Sequence, residues 1–106
     1  MASETGLDGD YYNILGGPLK NVIFIFRRGA HDRARELFFG FGRVKKYRER
    51  GYRGYPVTPE NRERVTELDA MADEVSGYIT RREFPVDRLV EIERRSQELI
   101  YGESKR

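Results

Sequence analysis

The chain has no cysteine. That absence excludes a disulfide scaffold, a thiolate zinc site, an iron–sulfur cluster and a cysteine nucleophile. Histidine is almost missing too, since His31 is the only one. A metal site would have to be built from carboxylates, and no D-x-D-x-D-G loop is present. Long hydrophobic runs are also absent. Val22 to Phe26 is the longest, far short of the ~20 residues a membrane-spanning helix needs. Met1-Ala2-Ser3-Glu4-Thr5 lacks the basic and apolar segments of a secretory signal. Gly16-Gly17-Pro18-Leu19-Lys20 misses the spacing of a phosphate loop, and no G-x-S-x-G motif or Ser/His/Asp set occurs. These absences point to a soluble intracellular protein that is not an enzyme and carries no cofactor.

What is present is charge and aromatic bulk. The 106 residues suit one domain, 38% are hydrophobic and 36% charged. Seven Tyr and six Phe supply large apolar areas for a small core. The net charge of +2 hides a strong asymmetry. Residues 1–19 carry Glu4, Asp8 and Asp10 and no base. Residues 27–53 carry ten bases against three acids, and residues 58–75 six acids against two bases. A basic middle of this kind attracts polyanions, of which nucleic acid is the commonest large one. The alternative is a solvated face neutralised by the acidic segment folded against it.

The expected elements follow from residue type and spacing. Residues 1–18 read as a flexible acidic segment ending in the turn Gly16-Gly17-Pro18. Lys20 to Arg27 is rich in β-branched and aromatic residues and reads as a strand. Arg33 to Phe39 reads as a helix, stopped by Gly40 and Gly42. Residues 43–49 read as a polar strand and 50–57 as a turn-rich stretch ending in a short strand. Thr58-Pro59-Glu60 looks like a helix start. That helix carries Val65, Leu68, Met71 or Ala72, and Val75 on one face, and Ser76-Gly77 ends it. Tyr78 to Phe84 reads as a last strand. A final helix runs from Val86 or Asp87 to about Tyr101, with Leu89, Ile92, Leu99 and Ile100 as its apolar stripe. The resulting order, βαββαβ with an added helix, is the ferredoxin-like α+β arrangement: an antiparallel sheet with two helices on one face.

In that order the residues resemble an RNA-recognition motif domain over about 20–86. Ile23-Phe24-Ile25 is similar to the start of the family's shorter ribonucleoprotein signature. Leu37-Phe38-Phe39-Gly40-Phe41-Gly42-Arg43-Val44 fits its L-F-x-x-F-G-x-V. Residues 70–77 resemble the A-x-x-A-x-L-N-G ending of its second helix, and Arg81 to Val86 its G-R-x-L-x-V fourth strand. The longer signature is degenerate: Arg53-Gly54-Tyr55-Pro56-Val57 keeps the base, the glycine and one aromatic. Residues 87–106 then form a C-terminal helix and tail outside the domain.

The resemblance implies a sheet face on which RNA bases stack. Phe24 and Tyr55 would be neighbours there. Arg27, Arg28, Lys45, Lys46, Arg48, Arg50 and Arg53 would hold phosphates. Strand alternation would turn Ile23 and Ile25 inward and Val22, Phe24 and Phe26 outward. The C-terminal helix, or Tyr11, Tyr12, Ile14 and Leu15, would close that face if it were not a binding surface. The chain would then be a protein-interaction or self-associating module, binding a partner chain or a second copy and no nucleic acid. No residue points to a small-ligand regulatory domain.

Overall fold

The structure, a computed structural model, describes residues 14–45 and 57–101. Among these there are four α-helices, one short 3-10 turn and no strand. The helices are α1 (Gly17–Arg27), α2 (His31–Gly40), α3 (Arg62–Arg81) and α4 (Val86–Tyr101), and the 3-10 turn is Phe41–Arg43. This overturns the ferredoxin-like α+β fold, and with it the RNA-recognition-motif resemblance of residues 19–86, because the segments expected as first and last strands are helical at 20–27 and 78–81 and no strand occurs among the described residues.

The decisive correction is at residues 20–27, which form a helix and not the first strand. Pro18 sits in the first turn of α1, where its fixed φ and missing N–H cost nothing. Leu19, Val22, Ile23 and Phe26 recur at helical spacing, and the first three are buried. β-Branched and aromatic residues each cost only about 0.5 kcal/mol of helix propensity relative to alanine. Burying one such side chain contributes about 1.5–3 kcal/mol. Burial therefore outweighs the local preference for strand. Val22, expected on an open face, is in the core.

A glycine closes α1. The Ala30 N–H donates to the Ile25 carbonyl at 3.3 Å and the Gly29 N–H to that of Phe26 at 2.9 Å. This is a Schellman motif, and Gly29 supplies its left-handed residue with φ +94°. In α2, Ala34 and Phe38 are buried and Phe41 continues that face into the 3-10 turn. The strand expected over 43–49 does not begin: Arg43 belongs to the 3-10 turn, Val44 alone is extended, and Lys45 is already helical. Residues 46–49 lie outside the described residues.

Helix α3 starts later and ends later than its periodicity suggests. Thr58 and Asn61 exchange backbone-to-side-chain hydrogen bonds of 2.7 and 3.3 Å, which fix the turn before Arg62. The helix then runs straight through Ser76 and Gly77 to Arg81, so the expected strand over 78–84 is its last turn and a loop. Val65, Leu68, Met71, Ala72, Val75 and Ile79 form its buried stripe. Helix α4 buries Leu89, Ile92, Leu99 and Ile100 as expected.

Each helix packs on two neighbours, α1 on α2 and α4, and α3 on α2 and α4, closing a ring around one core. Helices α1 and α4 are antiparallel. The buried Ser96 hydroxyl reaches the Leu15 carbonyl at 3.1 Å, at the start of α1. Val22, Ile23 and Phe26, toward its end, lie with Val86, Leu89 and Val90. No helix among the described residues is long and apolar enough to cross a membrane.

Candidate nucleic-acid interface

The surface of α1 that faces away from the core is cationic with one aromatic at its centre. Lys20, Phe24, Arg27 and Arg28 are exposed, and their spacing of three and four residues places them on one stripe. Phe24 is 56% exposed, the most open aromatic ring among the described residues. The Arg28 guanidinium lies 5.3 Å from its ring centroid, a cation–π pair. Arg27 and Arg28 also end α1, where the helix dipole favours positive charge.

The turn at Gly29 brings α2 alongside, with Arg33 and Arg35 exposed on the two flanks of the buried Ala34. Behind them lies a cluster of phenylalanines. Phe84, from the α3–α4 loop, contacts Phe38 at 5.4 Å, Phe26 at 5.9 Å and Phe39 at 6.3 Å between centroids. His31 stacks on Phe26 at 4.1 Å with rings 13° apart. Two more cations decorate this corner: Arg35 lies 5.9 Å from the Phe84 ring and Arg82 4.6 Å from the Phe39 ring. Arg82 has φ 59° and ψ 46°, the left-handed conformation usually taken by glycine.

Beside this corner, between α1 and the start of α4, is an open groove of about 300 Å³. Its walls are Val22, Ile23, Phe26, Phe84, Leu89 and Val90. Two exposed charged residues also line it, Arg27 from α1 and Asp87 from the first turn of α4.

Among the described residues, Lys20, Arg27, Arg28, Arg33, Arg35 and Arg43 form no ion pair. The arginines of α4 differ. Arg88 grips Glu74 through two hydrogen bonds of 2.7 and 2.9 Å and reaches Glu91 at 3.2 Å. Arg95 grips Glu67 at 2.6 and 2.9 Å and reaches Glu98 at 3.0 Å. These bonds hold the Glu67 and Glu74 carboxyls below the usual carboxylate range, with the arginine hydrogen bond the main cause and desolvation opposing it. The Tyr78 hydroxyl donates to Glu74, which pushes the phenol's pKa up.

Of the residues expected to bind nucleic acid, the structure brings Phe24, Arg27 and Arg28 together, on a helix and not on a sheet. Lys45 is exposed two residues after the 3-10 turn that follows α2. Tyr55, Lys46, Arg48, Arg50 and Arg53 lie outside the described residues. Phe24 is not a strand neighbour of Tyr55, because it lies within helix α1. Sequence reasoning missed Arg33, Arg35 and Arg82 as site residues. The first two were visible in the basic run, whereas Arg82 joins them only through the packing of Phe39 on Phe84. No group of three or more His, Asp or Glu among the described residues is arranged to hold a metal. No family model, curated protein or solved structure matches the chain.

Proposed function

We propose that this protein is a non-catalytic, intracellular nucleic-acid-binding module, with RNA as its expected partner, and that the α1–α2 corner is its contact surface. One observation carries the reading: six cations on one half of the molecule have no ion-pair partner, while the α4 arginines at 88 and 95 are each clamped by two glutamates. Solvated guanidinium groups clustered without counter-charges lose little when they meet phosphates, and the counterions they displace drive association. The test is fluorescence anisotropy with labelled RNA and DNA at two salt concentrations. Wild type binds with strong salt dependence. Replacement of Arg27, Arg28, Arg33 and Arg35 by glutamine removes most of the affinity. Binding that ignores these four changes places the contact elsewhere.

A second reading draws on a different observation. The exposed Phe24 and the apolar groove are surfaces that an assembling partner chain or a second copy would cover. Light scattering separates the two: this reading expects a mass that rises with protein concentration and is indifferent to RNA.

A further inference from the structure

We propose that the groove between α1 and α4 receives an unpaired nucleobase, so that the protein selects single-stranded or locally opened nucleic acid over intact duplex. The inference rests on the nucleic-acid reading and adds a site to it.

Arg27 is the link. It belongs to the unpaired cationic stripe with Lys20, Phe24 and Arg28, and it also lines the groove. At 100° per residue it lies between Phe24 and Ile23 on the helix circumference. A phosphate held by Arg27 and Arg28 therefore leaves its own base one sugar away from the groove. The walls suit the flat, apolar faces of a base. Phe26 and Phe84 contribute half-buried rings with centroids 5.9 Å apart, and the buried Val22 and Leu89 lie beneath them.

Size and charge narrow the occupant. A groove of about 300 Å³ is at the small end of ligand sites, enough for one ring system and too small for a helix or a duplex. Asp87 at the opposite side repels a phosphate, so the charged part of the strand stays on the arginine side. Its carboxylate accepts hydrogen bonds from the exocyclic amine of a base such as cytosine. A base inside a duplex has both faces stacked and cannot enter.

The experiment compares three ligands of known charge: a single-stranded oligonucleotide, an abasic strand of the same length, and a duplex. Wild type binds the base-bearing strand roughly tenfold or more tightly than the abasic strand, as expected for stacking on aromatic walls. Val90→Phe, on the half-buried edge of the groove, fills it. That variant binds the base-bearing strand no better than the abasic one, with the salt dependence of wild type retained. A melting curve checks that the variant is folded, and the wild-type comparison stands without it. Equal wild-type affinity for base-bearing and abasic strands overturns the groove assignment, as does a folded Val90→Phe that keeps the preference. In those cases the salt-dependent binding survives, so the broader reading is untouched. Absence of any salt-dependent binding by wild type overturns both.

Discussion

Between α3 and α4 two arginines meet glutamates across the helix pair, Arg88 with Glu74 and Arg95 with Glu67, while Arg62, Arg64 and Arg82 form no ion pair among the described residues. In α1 and α2 two arginines meet phenylalanine rings, Arg28 over Phe24 and Arg35 over Phe84, and the others are exposed without an ion pair. The residue counts reinforce the contrast. Residues 17–45 hold seven bases against two acids, residues 57–101 seven bases against eleven. The paired half is also in register with itself. Glu67 and Glu74 are seven residues apart, as are Arg88 and Arg95 on the facing helix. Two antiparallel helices with that spacing match both pairs at once, and the glutamates three residues on, Glu91 and Glu98, complete each arginine's set. Arginine thus serves as a strut at positions 88 and 95 and stands without a counter-charge along α1 and α2. The difference lies in what stands opposite, not in the residue.

The two halves also close their first helices alike, with one telling exchange. Gly29 supplies the left-handed residue after α1. After α3, the Glu83 N–H donates to the Tyr78 carbonyl at 2.8 Å and the Arg82 N–H to that of Ile79 at 3.2 Å, the same motif with arginine in the glycine's place. Left-handed backbone costs a residue with a Cβ about 1–2 kcal/mol. The contact of Arg82 with Phe39 returns about 0.5–1 kcal/mol at such an exposed site.

The contrast breaks most severely where the halves meet. Phe38 is fully buried on α2 and touches Phe84 of the α3–α4 loop. Phe38→Ala costs about 3–5 kcal/mol, read by chemical denaturation, and loosens both halves together. Next in size is the exchange of charge roles. Replacing Arg27, Arg28, Arg33 and Arg35 by glutamine lowers nucleic-acid affinity about ten- to a hundredfold at low salt and flattens its salt dependence, with the melting temperature nearly unchanged. Arg88→Gln and Arg95→Gln do the reverse, leaving affinity intact while costing about 0.5–1 kcal/mol each in stability.

Acid sharpens the comparison further. The folded-state pKa values of Glu67 and Glu74 lie below the ordinary 4.5, so their stabilisation is complete above that value. It is lost as pH falls through the depressed folded values. Stability measured from pH 6 downward therefore drops in this range, and Glu67→Gln with Glu74→Gln flattens the drop. If the double variant retains the full acid limb, the ion pairs are not its source. The smallest effect belongs to Arg82→Gly. It raises stability by about 0.5 kcal/mol, the relief of backbone strain less the lost ring contact, and weakens nucleic-acid binding by a few-fold. A gain in stability without loss of affinity would remove Arg82 from the contact surface.

Much of the helical content was legible. Ala34, Leu37, Phe38 and Phe41 announced α2, the stripe from Val65 to Val75 announced α3, and that from Leu89 to Ile100 announced α4. Two kinds of signal misled. Gly77 suggests a stop, yet a glycine inside a packed helix costs only about 1 kcal/mol, and Ile79 is buried one turn beyond Val75. The run from Val22 to Phe26 was read as a strand because five consecutive apolar residues fit either period. Pro18 before it, Gly29 after it, and Leu19 three residues ahead of Val22 were the signals for helix. Once that strand was assumed, the likeness to a sheet-based family followed from it and fell with it.

The sequence by itself determined the placement of α2, α3 and α4, the exclusion of cysteine-based chemistry and the concentration of positive charge in its middle, since these depend only on residue type and short-range spacing. Tertiary structure decided between helix and strand for the apolar run of α1, brought Arg82 to the aromatic corner with Arg27 and Arg35, and fixed which arginines have no counter-charge. The reason is physical. Local propensity is worth tenths of a kcal/mol per residue while burial is worth several times more, and a charge is neutralised only by what the fold places against it.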